Sequence, residues 1–171
     1  MAEKMKKFTI VISRHGKSSS ITDAKSDFER ALKARGVEET RHVGSSLKDM
    51  LENIDLVVSS SAVRAKHTAE ILAKELGYSK KEIQLEPSLY ESGLDDVLLV
   101  LKSICSSNKK VLLVGHNPTW SDLVNLFQPK PTDVLRTSDV AVITFEIPGW
   151  EALHPMGGKL LYIGKFDEHT T

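Results

Sequence analysis

Two apolar segments of this chain each end in a histidine beside a glycine. Residues 10–12 lead to Arg14-His15-Gly16, and residues 111–114 lead to Gly115-His116. Short runs rich in β-branched residues are typical of buried strands, and ligands of open α/β sheets bind at the carboxyl ends of strands. We therefore expect both imidazoles at one sheet edge, where an imidazole can act as a nucleophile.

A third buried strand is predicted at residues 56–60, and the clearest helical pattern follows it. Apolar residues recur on one face of residues 62–76, and Gly77 is a typical stop. Ser60 and Ser61 are expected to cap this helix, because hydroxyl side chains satisfy the free amides of a first turn. Arg64 would then project from that turn toward the sheet edge that holds the histidines.

The side chains of Arg14, His15, Arg64 and His116 thus form a predicted site that suits a phosphoryl dianion. The arginines would bind and orient its oxygens, His116 would donate a further hydrogen bond, and His15 would attack phosphorus in line. Phosphoryl transfer is catalysed mainly by positioning and charge stabilisation, so such a cluster can be sufficient without a metal. A lone histidine beside an arginine is more often structural, and the second strand of the same design is what favours chemistry.

The composition limits the classes of protein to consider. The 171 residues suit a single domain, residues 1–171, and 23 basic side chains balance 23 acidic ones. We expect neither a nucleic-acid partner nor a membrane surface, and no stretch is long and apolar enough for a transmembrane span. The single Cys105 is expected on a packed helix face. The cytoplasm is the expected location, and a monomer is favoured although the sequence leaves the oligomeric state open.

The order of the predicted elements indicates an α/β fold. Strands and helices alternate as far as a helix at about residues 118–127, and two strand-like segments, residues 140–147 and 160–166, then follow. The loop between these two segments has no room for a crossover helix, so they should form an antiparallel hairpin. The sequence predicts a three-layer sandwich, with a mostly parallel sheet of about six strands, helices on both faces and one antiparallel edge strand.

Three motifs at predicted strand-to-helix junctions resemble those of the histidine phosphatase superfamily. They are Arg14-His15-Gly16, Ser60-x-x-x-Arg64-Ala65-x-x-Thr68 and Gly115-His116-Asn117-Pro118, supported by Ser26-Asp27-x-x-Arg30, Thr137-Ser138 and Trp150. That superfamily includes phosphoglycerate mutases and acid phosphatases. Over essentially its whole length the chain is most similar to the small SixA-type phosphohistidine phosphatases. Ser61 and His67 depart from the family's usual proline and glutamine, and His67 is expected on the helix surface.

The resemblance implies a metal-independent phosphatase that works through a phosphohistidine intermediate. It assigns His15 as the nucleophile and His116 as the group that stabilises the transition state. It also implies that Arg14 and Arg64 bind the phosphoryl oxygens. No cofactor is expected on this basis.

Three further residues are candidates on the same resemblance. Glu91 is the candidate general acid, because larger members supply a carboxylate from the region between the third strand and the next helix. Ser18 and Asn117 are candidate substrate contacts, or else a loop residue and a cap residue. Nothing in the sequence decides between these alternatives.

The chemistry of the leaving group favours phosphohistidine as the substrate. A phosphorylated imidazole can be protonated on its second nitrogen and leave as neutral imidazole, since imidazole titrates at about 6.5. Residues 77–110 leave little chain for a lid, so the cleft should admit a protein side chain. The predicted partner is a phosphorylated signalling or phosphocarrier protein. The alternatives are a small phosphate ester as substrate and a non-catalytic module that binds phosphorylated partners.

Overall fold

The computed structural model describes residues 2–167, which form a layered α/β structure. In chain order, the strands and α-helices are β1 (Lys6–Arg14), α1 (Ala34–Leu51), β2 (Leu56–Ser59), α2 (Val63–Glu75), β3 (Gln84–Leu85), α3 (Leu94–Lys102), β4 (Lys110–Gly115), α4 (Thr119–Phe127), β5 (Val140–Ile147) and β6 (Lys159–Gly164). The predicted alternation of strands and helices is confirmed.

The strands form one sheet in the order β3-β2-β4-β1-β5-β6. The pairs β3–β2, β2–β4 and β4–β1 are parallel, whereas β5 is antiparallel to both β1 and β6. The predicted hairpin is therefore at a sheet edge. Within this hairpin, the inner strand β5 runs in the opposite direction to the rest of the sheet. The edge strand β6 runs in the same direction as β1, because the chain reverses again between β5 and β6.

Both faces of the sheet are covered by helices, as predicted. Ile10 and Ile12 of β1 pack in a core that includes residues of α3 and α4. Val11, between them, packs in a second core that includes residues of α1 and α2. Side chains alternate between the two faces of a strand, so a continuous apolar run is buried only when both faces are covered.

Two local predictions are corrected. The N-cap residue of α2 is Ala62, and neither predicted serine is the cap. The hydroxyl of Ser60 instead contacts the ring of His116 at the sheet edge described below. Helix α3 ends at Lys102, and Cys105 lies beyond it with an exposed thiol. Residues 103–108 contain serines and an asparagine, which favour turns over a continued helix.

None of the helices within residues 2–167 combines the length and the apolar composition that a membrane span needs.

Candidate active site

Three adjacent strands bring the candidate residues to one edge of the sheet. The amide of His15 donates to the carbonyl of Gly115 at 3.0 Å, and the amide of Ser60 donates to the carbonyl of Val114 at 3.0 Å. These bonds extend the pairing of β1 and β2 with the central strand β4 by one residue. The ring of His116 follows directly on β4, and its centroid lies 5.2 Å from that of His15.

A cavity of about 340 Å³ opens at this edge. It is lined by Arg14, His15, Lys17, Ser18, Arg30, Arg64, His116, Asn117 and Thr137. Of the predicted site residues, only Glu91 is not among its lining. Its described lining contains four basic side chains and no carboxylate, so the cavity suits an anion.

Hydrogen bonds define the protonation of the His15 ring. Its Nδ1 lies 2.8 Å from the carbonyl oxygen of Gly16, which only accepts, so Nδ1 carries the proton. Its Nε2 accepts a hydrogen bond from Nε of Arg64 at 3.3 Å. The lone pair is therefore on Nε2, at the cavity. The amide of Gly16 donates to Oγ1 of Thr68 at 3.0 Å, which fixes the turn behind the ring.

The electrostatics of the site keep both histidines neutral at neutral pH. Burial, followed by the positive charges around it, lowers the pKa of His15 to about 3, although the Gly16 carbonyl opposes the shift. Burial and the charge of Arg64 lower the pKa of His116 to about 4. A neutral His15 offers a free electron pair, which a nucleophile needs.

Arg64 is held by a residue that the motif-based assignment did not include. Its Nη1 donates to the carbonyl of Asp27 at 2.7 Å and its Nη2 to the carboxylate at 3.1 Å. The same carboxylate accepts bonds from Tyr90 at 2.7 Å and Arg30 at 2.9 Å. These bonds, that of Tyr90 first, hold the pKa of Asp27 well below its usual range. Asp27 thus fixes the guanidinium of Arg64 beside His15.

The sequence indicated part of this arrangement of Asp27, Arg30, Arg64 and Tyr90. Asp27 and Arg30 occur in a stretch that supports the family resemblance, but their partners could not be read from it. Asp27 and Tyr90 are 63 positions apart, and no local pattern pairs them. Tyr90 also packs edge-on against His116, with ring centroids 5.7 Å apart.

Ser18 and Asn117 line the cavity, but both already have partners in the protein. Oγ of Ser18 accepts from Nη2 of Arg30 at 3.0 Å. The amide nitrogen of Asn117 donates to the carbonyl of Leu135 at 2.7 Å, and its oxygen accepts from the hydroxyl of Ser121 at 2.8 Å. Ser18 and Asn117 thus lie at the site, but they also make the internal contacts expected of a loop residue and a cap residue.

Glu91 lies away from the cavity lining. Its side chain is exposed and its φ is 55°, in the left-handed region. The neighbouring Tyr90 instead faces His116. A role of Glu91 as general acid remains a prediction.

Two buried nitrogen atoms at the site have no hydrogen-bond partner within residues 2–167. Among the described residues, Nε of Arg14 and Nδ1 of His116 are the buried side-chain nitrogens without one. Both belong to residues that line the cavity. Unpaired buried polar atoms are costly, so these two nitrogens mark the parts of the site that its own side chains leave unsatisfied. Within residues 2–167, no group of His, Cys, Asp and Glu side chains is arranged to hold a metal ion.

The fold is of the α/β class, and the basic cavity at the sheet edge suits an anionic group. The family model of the histidine phosphatase superfamily (branch 1) matches residues 10–98, more than half of the 171-residue chain. The chain therefore belongs to the histidine phosphatase superfamily, as its motifs predicted.

Three individual proteins are similar to this chain. A solved structure of the protein histidine phosphatase SixA complexed with tungstate is 25% identical, has a TM-score of 0.77, and is matched over 92% of this chain and 96% of that one. An uncharacterized protein of Mycobacterium leprae (strain TN) is 33% identical over 63% of this chain and 66% of its own length. The mitochondrial serine/threonine-protein phosphatase Pgam5 of Drosophila grimshawi is 32% identical over 49% of this chain and 28% of its own length.

These likenesses confirm the SixA-like assignment within the superfamily and support phosphatase activity. This chain spans just under two thirds of the mycobacterial relative and about a quarter of the Drosophila one.

The depressed histidine pKa values predict that folding stability falls with acid. Unfolded histidines titrate at about 6.5, whereas the folded pKa values are about 3 for His15 and about 4 for His116. Between these limits the unfolded chain binds more protons, so stability is highest above pH ~6.5 and is lost as the pH falls, by up to about 1.4 kcal/mol per pH unit for each histidine.

Urea unfolding between pH 7.5 and 5, above the range of ordinary carboxylates, measures this slope. His15→Asn and His116→Asn should each reduce it. An unchanged slope in both variants would contradict the depressed pKa values.

Proposed function

We propose that this protein is a phosphatase that hydrolyses phosphohistidine in a signalling or phosphocarrier protein, through a phosphoryl intermediate on His15. One observation carries the proposal: the described lining of the cavity combines a neutral imidazole with basic side chains and lacks a carboxylate acid. Such a site can attack a phosphoryl group and stabilise its charge. It favours a leaving group that needs no proton from a carboxylic acid.

In the first step, Nε2 of His15 attacks phosphorus in line. The Nε2–P bond forms as the bond from phosphorus to the substrate imidazole breaks, and the bonding electron pair returns to that imidazole. The Gly16 carbonyl, 2.8 Å from Nδ1, stabilises the positive charge that develops on the His15 ring. Arg14, Arg64 and His116 would stabilise the equatorial oxygens.

The leaving group brings its own proton. A phosphorylated imidazole protonated on its second nitrogen departs as neutral imidazole, so the protein need not supply an acid. Tyr90 is unsuited to that task, because its hydrogen bond to Asp27 raises its pKa to about 12. An alkyl ester would leave as an alkoxide and would require such an acid.

In the second step, water attacks the phosphoryl group on His15. The Nε2–P bond breaks, its electron pair returns to Nε2, and dihydrogen phosphate carries both protons of the water away. The neutral ring is restored because its Nδ1 proton was kept throughout. No metal or other cofactor takes part in this proposed cycle.

Two named relatives support a protein substrate. SixA is named as a protein histidine phosphatase, and Pgam5 as a serine/threonine-protein phosphatase. The basic residues Lys17 and Arg30 line the cavity together with Arg14 and Arg64, and their charges complement an anionic phosphoryl group on an incoming side chain.

The test compares three substrates in the presence of a chelator: a phosphohistidine-bearing phosphocarrier protein, an aryl phosphate and an alkyl phosphate. We expect kcat/KM to fall in that order, by about 100-fold or more from first to last, because the need for an acid increases. Glu91→Gln should change turnover of the phosphohistidine protein by less than about twofold.

Other results would favour other functions. Preferential turnover of the alkyl phosphate that is lost in Glu91→Gln would indicate a small-molecule phosphomonoesterase. Binding of inorganic phosphate without turnover of any of the three substrates would indicate a non-catalytic binding module.

A further inference from the structure

Ser60 links the ring of His116, which follows β4, to the end of the neighbouring strand β2. It directly follows β2, it is fully buried, and its Oγ lies 2.8 Å from Nε2 of His116. Its backbone is fixed on both sides, since its amide donates to the carbonyl of Val114 and its carbonyl accepts from the hydroxyl of Ser59 at 2.8 Å. The hydroxyl is therefore held at the edge of the His116 ring.

The remaining contact of this hydroxyl limits how it can bond to the ring. The amide of Ala62 donates to Oγ of Ser60 at 3.3 Å, so one lone pair is already used. A hydroxyl has one proton and two lone pairs. Its proton needs an acceptor, and within residues 2–167 the atom in hydrogen-bond distance of Oγ that can accept it is Nε2 of His116.

The tautomer of His116 follows from this count. If Ser60 donates to Nε2, the hydroxyl is fully paired and the ring proton lies on Nδ1. If Nε2 donated instead, the buried hydroxyl proton of Ser60 would lack an acceptor and Nδ1 would be an unpaired acceptor in a site built for an anion. An unpaired buried polar atom is destabilising, so the first arrangement, which leaves one such atom instead of two, is the stable one.

We propose that Ser60 is a positioning residue that donates to Nε2 of His116 and thereby keeps the ring in the Nδ1–H tautomer. Nδ1 has no partner among the described residues, so its N–H is a spare donor at a residue that lines the phosphoryl cavity. That donor serves the developing phosphoryl charge, and this part of the proposal rests on the proposed function. The assignment of the tautomer itself does not.

The first test uses the wild-type protein alone. At pH 7.5, ¹⁵N NMR of ring-labelled histidine distinguishes the protonated from the unprotonated ring nitrogen, and His116→Asn identifies the signals. We expect Nδ1 of His116 to be the protonated atom. A spectrum with the proton on Nε2 would overturn the proposal, whether or not any substrate is turned over.

The second test compares Ser60→Ala with its neighbour Ser61→Ala as a matched control. Loss of the Ser60 hydroxyl should convert His116 to a mixture of tautomers and lower kcat by about 10- to 100-fold, with KM changed less than about threefold. Ser61→Ala should change neither. Wild-type kcat with an unchanged His116 spectrum in Ser60→Ala would refute the positioning role.

These readouts separate the two proposals. If the ¹⁵N spectra behave as expected but no phosphorylated substrate is hydrolysed, the proposed function fails and the role of Ser60 in fixing the ring stands. If Ser60→Ala does not fold, the wild-type spectrum still decides the tautomer.

Discussion

Replacing His15 by alanine is expected to lower kcat on a phosphohistidine protein by about 10⁴-fold or more, to near the uncatalysed rate, because the attacking electron pair is lost. The phosphoenzyme should disappear with it. Brief reaction with ³²P-labelled substrate, followed by an alkaline quench, should label the wild type on an acid-labile bond and leave the variant unlabelled.

His67→Ala is the matched control for this experiment. His67 is exposed on α2, as predicted, and does not line the cavity. Its replacement should leave both turnover and labelling unchanged. Labelling that persisted in His15→Ala would place the intermediate on another residue and refute the proposed mechanism.

Replacing Arg64 by alanine is expected to lower kcat by about 10²- to 10³-fold, the usual effect of removing a donor aimed at developing charge. Arg64 is 6% exposed. Its Nε donates to His15, and its Nη1 and Nη2 donate to the backbone carbonyl and the carboxylate of Asp27. Arg64→Lys should recover only part of the activity, because an ammonium keeps the charge but cannot reproduce the planar set of donors of a guanidinium. Steady-state kinetics and titration with inorganic phosphate measure both effects.

Arg35→Ala supplies the control for loss of an arginine. Arg35 pairs with Glu39 on α1 at 2.7 Å, and its side chain is 77% exposed. An exposed pair of this kind contributes little, so catalysis should be unaffected. Wild-type turnover by Arg64→Ala would exclude this guanidinium from the phosphoryl site.

The placement of Arg14 and Arg64 at one site could be predicted from the sequence, because each arginine lies at or just after the end of a recognisable strand. Arg14 and His15 end the apolar run of β1, and Arg64 lies in the first turn of α2 just after β2. Strand ends of a parallel sheet converge at one edge. The positions of Arg14, His15, Arg64 and His116 at one cavity therefore follow from local sequence pattern and fold class together.

The assignment of Ser60 was wrong for an equally physical reason. A serine before a helix is a common N-cap, and the sequence offers no sign that a histidine 56 positions later competes for its hydroxyl. The pairing of β2 with β4 decides that competition. Asp27 and Tyr90 meet in the same way, across loops whose conformations depend on the assembled sheet.

By itself, the sequence determined the class of fold, the strands that end in chemistry and the superfamily, because hydrophobic periodicity and short motifs are local properties. Only the tertiary structure decided that Asp27 holds Arg64, that Tyr90 rather than Glu91 faces His116, and that Ser60 contacts its ring. Each of these contacts joins residues far apart in the chain. Their geometry depends on strand order, register and loop packing, which no local pattern encodes.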